Sequence, residues 1–166
     1  MATGTLYDNP NLFTESVSAV TATNTVQLGA VRWSGGSKYR YMYCDTGVAY
    51  PGYGVQLTSG GSGYSIATTI TLGDPCFGVV QNTTMTTATY GWVLVDGMAK
   101  VQTGANSSIS AGRYLVLTAS GTFADWIVNE GTALSASAFY QIAGRSLGSG
   151  TGSGVSIFAA VHCFNA

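Results

Sequence analysis

Hydrophobic and polar residues alternate along much of the chain with a period of two, the spacing typical of β-strands. The clearest example is Tyr39, Tyr41 and Tyr43, which are separated by single residues of other types. Alternate side chains of a strand share one face, so we expect these tyrosines to lie together in the core or an interface rather than in a ligand platform. Similar patterns predict strands at 26–33, 55–57, 64–72, 77–81, 92–102, 114–118, 122–124, 139–147 and 155–164.

Glycine-rich turns separate these strands. Residues 34–37, Ser-Gly-Gly-Ser, predict a tight turn because glycine adopts positive φ without strain. The Asp96–Gly97 step within 92–102 fits either a two-residue hairpin turn or a bulge in one bent strand. The weak helix candidate, 132–143, is rich in Ser and Thr. We therefore expect an all-β fold, a compact barrel or sandwich of short strands.

The N-terminal region lacks a periodic pattern and is interrupted by Asn and Pro. We expect residues 1–16 to form an extended arm and residues 17–166 to form a single β domain. Apolar side chains in such an arm are expected to dock on the chain's own core or on a neighbour. The candidates for this contact are Leu6, Tyr7, Leu12 and Phe13.

Charge is scarce, at 8% of the residues against about 25% in a typical soluble domain. A formal net charge of -1 with six Lys and Arg leaves no basic surface for nucleic acid. The 46% hydrophobic content argues against disorder, and Gly, Ser and Thr interrupt every apolar run before it could span a membrane. The N-terminus has neither the basic nor the apolar region of a secretory signal. So few charges favour a chain that buries much of its surface in a stable assembly; the alternative is a surface solvated by hydroxyl groups and Gly-rich loops.

Three cysteines, Cys44, Cys76 and Cys163, are far apart in the sequence, which excludes a CxxC pair. We interpret them as buried thiols in a reducing compartment, although one disulfide stays open. His162 precedes Cys163, but neighbours on a strand point to opposite faces, so the two are not expected to act as a catalytic pair. With one histidine in the chain, a His-rich metal site is excluded.

No other motif favours an enzyme or a cofactor. The glycines of 148–154 alternate strictly and precede a predicted strand, whereas a dinucleotide loop precedes a helix. The seven carboxylates are scattered and mostly flank turn residues. There is no Gly-x-Ser-x-Gly nucleophile elbow. We therefore expect no enzymatic activity, no cofactor and no metal; ten Tyr and three Trp leave a carbohydrate-binding module as an alternative.

A series of short motifs in the second half carries a resemblance. Residues 92–101 (Trp-Val-Leu-Val-Asp-Gly-Met-Ala-Lys-Val) are followed by Ile-Ser-Ala-Gly-Arg-Tyr-Leu-Val-Leu-Thr-Ala-Ser-Gly at 109–121. Ile-Ala-Gly-Arg-Ser-Leu and Val-Ser-Ile-Phe then occur at 142–147 and 155–158. Together with Gly-Val-Val-Gln at 78–81, this order resembles the small capsid decoration, or cement, proteins of tailed bacteriophages over about half of the chain.

The resemblance implies a non-enzymatic virion protein that is made in the host cytoplasm and binds the outside of the phage head. It further implies a homotrimer that contacts the major capsid protein, with an N-terminal arm that becomes ordered on docking. Neither nucleic acid nor a membrane is an expected partner. A phage tail or fibre tip protein is the alternative within the virion, and a carbohydrate-binding module is the alternative outside it.

Overall fold

A computed structural model describes residues 15–58, 64–68, 70–71, 74–81, 83–104, 108–125, 142–152 and 154–163. These residues form an all-β fold without a helix, which confirms the fold class predicted from the alternation. The strands are β1 (Val20–Thr21), β2 (Val31–Ser34), β3 (Ser37–Thr46), β4 (Val48–Ala49), β5 (Gly54–Leu57), β6 (Ser65–Ala67), β7 (Gly78–Val80), β8 (Met85–Thr86), β9 (Thr89–Gln102), β10 (Ser108–Ile109), β11 (Tyr114–Leu117), β12 (Phe123–Asp125), β13 (Ile142–Ser146), β14 (Gly150–Thr151) and β15 (Ser156–His162).

Five of these strands close into a small barrel, which we call the first ring. Its order is β3–β9–β7–β5–β6, and the parallel pairing of β6 with β3 completes the circle. All the other pairings in this ring are antiparallel. Each strand contributes at least one fully buried apolar side chain to the interior. They include Met42, Val55, Ile66, Val80 and Val93.

The second half of β9 begins another ring. Here the antiparallel order is β9–β15–β13–β11–β12. A parallel bridge between Phe123 of β12 and Thr103, the residue after β9, closes this second ring. Its interior is filled by buried apolar side chains from all five strands. They include Val101 of β9, Ala159 of β15, Ala143 of β13, Leu115 of β11 and the aromatic Phe123 of β12.

The Asp96–Gly97 step lies within one continuous strand, directly after a β-bulge, and not in a hairpin turn. Strand β9 continues through it, with Lys38 opposite Asp96 and Tyr39 opposite Leu94. Val95 is therefore the extra residue that two-against-one pairing produces in a bulge. Gly97 has φ +125°, and a Cβ there would lie 2.3 Å from the hydroxyl oxygen of Ser37. The bend redirects one strand from the first ring into the second.

The tight turn predicted at 34–37 is present between β2 and β3. Gly35 and Gly36 have φ +59° and +78°, the left-handed pair that a two-residue hairpin needs. The strand predicted at 26–33 begins only at Val31. A turn precedes it, in which Ala30 N–H donates to Gln27 O, and Gly29 has φ +80°. A turn thus occupies the first part of a segment whose composition favours a strand.

Other element boundaries also differ from those predicted. The strand predicted at 64–72 is limited to β6, and the segment after it is held by the buried amide of Gln56. Gln56 Nε2 donates to Thr71 O and Asp74 O, and Gln56 Oε1 accepts from Thr71 N–H. The Gly-rich segment 148–154, predicted as a turn, contains β14, which pairs with β10. The helix candidate at 132–143 lies mainly outside the described residues.

A buried hydroxyl stabilises the junction of β13 with the turn before β11. Ser146 is fully buried, and its Oγ donates to Ser110 O at 2.6 Å while accepting from Arg113 N–H at 3.1 Å. The Ser146 main chain also bonds Gly112 and Arg113. These bonds fix the edge of the second ring, whose outward surface is the candidate site.

Candidate interaction surface

The outward side of the second ring is a sheet face with many exposed apolar groups. On β15, Ile157, Ala159 and Val161 point inward, so the residues between them point outward. The same alternation holds on β9 after the bulge and on β11, and on β13 Arg145 is the exposed residue. We call this surface the outer face. It is formed by Met98, Lys100, Gln102, Tyr114, Arg145, Leu147, Ser156, Phe158 and Ala160.

Strand register brings the large outward groups close together. Ala160 lies opposite both Met98 and Arg145, and Arg145 lies opposite Tyr114. This row crosses four adjacent strands, roughly 14 Å at the usual strand spacing. In the next row, Phe158 lies opposite Lys100 and its carbonyl accepts a hydrogen bond from the Leu147 N–H at 2.8 Å. Four large side chains on this face are half exposed: Met98 55%, Phe158 53%, Tyr114 52% and Leu147 50%.

Positive charge accompanies these apolar groups. Lys100 Nζ lies 5.5 Å from the Phe158 ring centroid, a cation–π distance. Arg145 is exposed, and its Nε donates to Gly112 O at 2.7 Å. The four strands of the face include a single carboxylate, Asp96, which bonds the His162 ring nitrogen Nδ1 at 3.0 Å. The outer face is therefore apolar and cationic, in a chain whose net charge is -1.

Sequence reasoning did not identify this face. The strands that form it were predicted, but the face exists only because four strands distant in sequence pair side by side. One local feature of the sequence points to this face. Phe158 occupies the same phase of β15 as Ser156 and His162, so a large aromatic group stands among polar positions.

The predicted contact residues of the arm, Leu6, Tyr7, Leu12 and Phe13, lie outside the described residues. The described chain starts at Glu15, whose carbonyl oxygen accepts a hydrogen bond from the Arg32 guanidinium. Shortly afterwards Val17 packs against the larger hydrophobic core cluster. The arm and its contacts stay a prediction.

The histidine and cysteine side chains are arranged as the strand pattern predicted. His162 is exposed and bonds Asp96, whereas Cys163 is buried and points to the other side of the strand. Cys44 is also buried, and burial together with the negative charge of Asp45 raises the pKa of its thiol to about 11. A thiol with so high a pKa is a poor nucleophile, because the thiolate is the reactive form.

The tyrosine-rich strand supplies core and not a ligand platform. Tyr39 and Tyr41 are buried, and Tyr43 is half-buried. The Tyr41 ring meets the Trp92 ring edge-on at 5.2 Å between centroids and stacks with Tyr90 at 6.3 Å. These rings therefore fill the space on the outer side of the first ring, as expected from the sequence.

The part of the chain that the structure describes contains no group of three or more His, Cys, Asp or Glu placed to hold a metal ion. Within the same stretches, no helix has the length and apolar character needed to cross a bilayer.

Comparison with known proteins shows a similarity of fold. No family model and no curated protein matches the sequence. Among solved structures, the chain is similar to the N base of head fiber gp8.5 of bacteriophage phi29, with a TM-score of 0.51 and 11% sequence identity. The match covers 74% of this chain and 92% of that one. At this identity the likeness establishes a shared all-β fold.

Proposed function

We propose that this chain is a non-enzymatic structural protein of a bacteriophage virion that binds the outside of the head and stabilises it. The observation that carries the proposal is the shared fold with the N base of a phage head fiber, which extends over nearly the whole of that base. The motif order at 78–158 supports the same class independently of the fold. The finer role is that of a decoration protein, which binds the major capsid protein as a homotrimer.

The outer face supplies a surface suited to such binding. An exposed apolar patch framed by polar groups is typical of interaction sites. Because Lys100 and Arg145 lie on the face, contact between the outer faces of two identical copies would place like charges together. The occupant we propose is therefore an apolar surface of the capsid shell that carries acidic groups. Leu6, Tyr7, Leu12 and Phe13 of the arm are proposed as further contacts with the shell or with a neighbouring copy.

Binding to heads tests the proposal. Purified chain is mixed with heads that lack it, taken from the phage that encodes it, and the mixture is sedimented and imaged. We expect regular added density on the shell, together with a trimer by light scattering. A monomer without affinity for heads would contradict both the decoration role and the trimer.

A matched pair of variants tests the surface. Phe158→Asp places a carboxylate at the centre of the outer face and is expected to weaken head binding at least tenfold. The control is Val48→Asp, at a valine that is 41% exposed on β4. Val48 pairs with Thr86, just before the start of β9, whereas the outer face uses the other end of that strand. Equal loss of binding in both variants would refute the outer face as the docking surface while leaving the virion role intact.

The second candidate is the base of a head fibre. It is favoured by the matched structure, which is itself the N base of a head fiber. A fibre base would appear in images as isolated density that carries a projecting shaft, whereas a decoration protein would cover the shell in a repeating lattice. The same images therefore separate the two roles.

A further inference from the structure

Two of the three cysteine thiols face each other in the core. Cys163 Sγ donates a weak hydrogen bond to Cys76 Sγ, with 3.8 Å between the sulfur atoms. Both residues are free and buried, at 1% and 6% exposure. Cys44 belongs to the separate core cluster inside the first ring. At 3.8 Å the two sulfur atoms are in contact, and a disulfide bond requires them to approach to roughly 2.05 Å.

The two cysteines belong to different rings of the fold. Cys76 lies just before β7 of the first ring, and the next residue, Phe77, donates its N–H to Val55 O. Cys163 follows β15 of the second ring, and its N–H donates to Val95 O at the bulge. A bond between the sulfurs would therefore join the two rings across the core cluster that contains both residues.

We propose that Cys76 and Cys163 are a site of oxidative modification, and that a small hydroperoxide converts this thiol pair into a disulfide that locks the two rings together. The thiolate of one cysteine attacks the peroxide oxygen, which breaks the O–O bond and yields a sulfenic acid and one molecule of water or alcohol. The second thiol displaces the hydroxyl group as water and forms the S–S bond. Two electrons pass from the two sulfurs to the peroxide, and both thiol protons leave in the products.

The surroundings of the pair make this reaction slow and selective. Its hydrogen bond with Cys76 and burial raise the pKa of the Cys163 thiol well above its usual value, so little thiolate is present at neutral pH. The pair is therefore expected to stay reduced in a reducing compartment and to be oxidised during long exposure to a hydroperoxide. Because the pair is 1% and 6% exposed, a small hydroperoxide is a better probe than a bulky disulfide reagent. The bond does not depend on the virion role proposed above.

The effect on stability follows from the length of chain that the bond encloses. Cys76 and Cys163 are separated by 87 positions, and a loop of this length is at the stabilising end of the chain-entropy relation. For a chain of this size, we expect the midpoint of thermal unfolding to rise by roughly 5–15 °C on oxidation. Addition of dithiothreitol to the unfolded protein should abolish that increase.

Mass spectrometry of the folded full chain tests the proposal. The reduced protein is incubated with hydrogen peroxide, quenched with catalase, unfolded and labelled with iodoacetamide. We expect a mass lower by 2 Da before labelling. After labelling and digestion, we expect one labelled thiol instead of three and a cross-linked peptide that contains Cys76 and Cys163. Retention of three labelled thiols, or addition of oxygen without a cross-linked peptide, would overturn the proposal.

Matched variants identify the pair. Cys76→Ala and Cys163→Ala should each abolish the 2 Da loss and the rise in thermal midpoint, whereas Cys44→Ala should keep both. If an alanine variant fails to fold, the cross-linked peptide of the unmodified chain still decides the question. A 2 Da loss that persists in folded Cys163→Ala would refute the assignment.

Discussion

Replacement of Gly97 by alanine tests whether the bulge in β9 depends on the absence of a side chain. Gly97 has φ +125°, a conformation that costs an L-residue about 1–3 kcal/mol. The added Cβ would also lie 2.3 Å from Ser37 Oγ, 2.6 Å from Ser37 Cβ and 2.8 Å from Ser37 Cα. Overlap of this kind in a packed region costs a further 1–3 kcal/mol or so. We therefore expect Gly97→Ala to lower the free energy of unfolding by about 2–6 kcal/mol.

Gly152→Ala is the matched control. Gly152 has φ +98°, but a Cβ there would meet nothing within 4 Å, so only the conformational cost applies. We expect this variant to lose about 1–3 kcal/mol. The difference between the variants measures the contact with Ser37. Ser37→Ala should not rescue Gly97→Ala, because the Ser37 Cα stays at 2.8 Å from the added group.

The assay is urea unfolding followed by circular dichroism, with all proteins at one concentration because assembly would make stability concentration-dependent. A loss in Gly97→Ala that only equals the loss in Gly152→Ala would show that the chain adjusts around Ser37 without cost. That result would refute the view that close approach of β3 fixes the bulge.

Three further predictions concern buried polar groups. Gln56→Ala removes the three hydrogen bonds to Thr71 and Asp74, and we expect it to cost about 2–4 kcal/mol in urea unfolding. The control is Gln81→Ala, which removes a long hydrogen bond to Val80 O and should cost under about 1 kcal/mol. Ser146→Ala leaves Ser110 O and Arg113 N–H without their hydroxyl partner and should cost about 1–3 kcal/mol; a neutral effect would contradict its role at the ring edge. Burial raises the pKa of the Cys44 thiol from 9.0 to about 11, so between these pH values the folded state retains a proton that the unfolded state releases. The free energy of unfolding should therefore fall as pH rises from 9 to 11. Cys44→Ala should make that fall shallower, and an unchanged slope in pH-dependent urea unfolding would refute the assignment to Cys44.

The individual strands could be predicted because alternation is a local property. Inward and outward positions on β15, for example, can be read from seven consecutive residues. Closure of the rings could not be predicted from alternation, because it depends on pairing between distant segments such as β3 and β6, or Phe123 and Thr103. Neither pairing is indicated by the residues next to it in the sequence.

The candidate surface was beyond sequence reasoning for the same reason. Met98 and Tyr114 are on strands that do not pair directly, and they share the face only because β15 and β13 lie between them. The buried thiols were predicted individually, but the contact between Cys76 and Cys163 joins residues from separate rings. The role of Gln56 was missed because a polar residue on a short strand gives no indication of which main-chain groups it will bond.

The passage of β9 through both rings has a mechanical consequence. Its first half pairs with β3 and β7, and its second half pairs with β15. A tensile load applied to one ring is therefore transmitted to the other along covalent bonds of a single strand, as well as through packed side chains. Separation of the rings would require one half of β9 to lose its hydrogen bonds to the neighbouring strands. We therefore expect the two rings to resist force together.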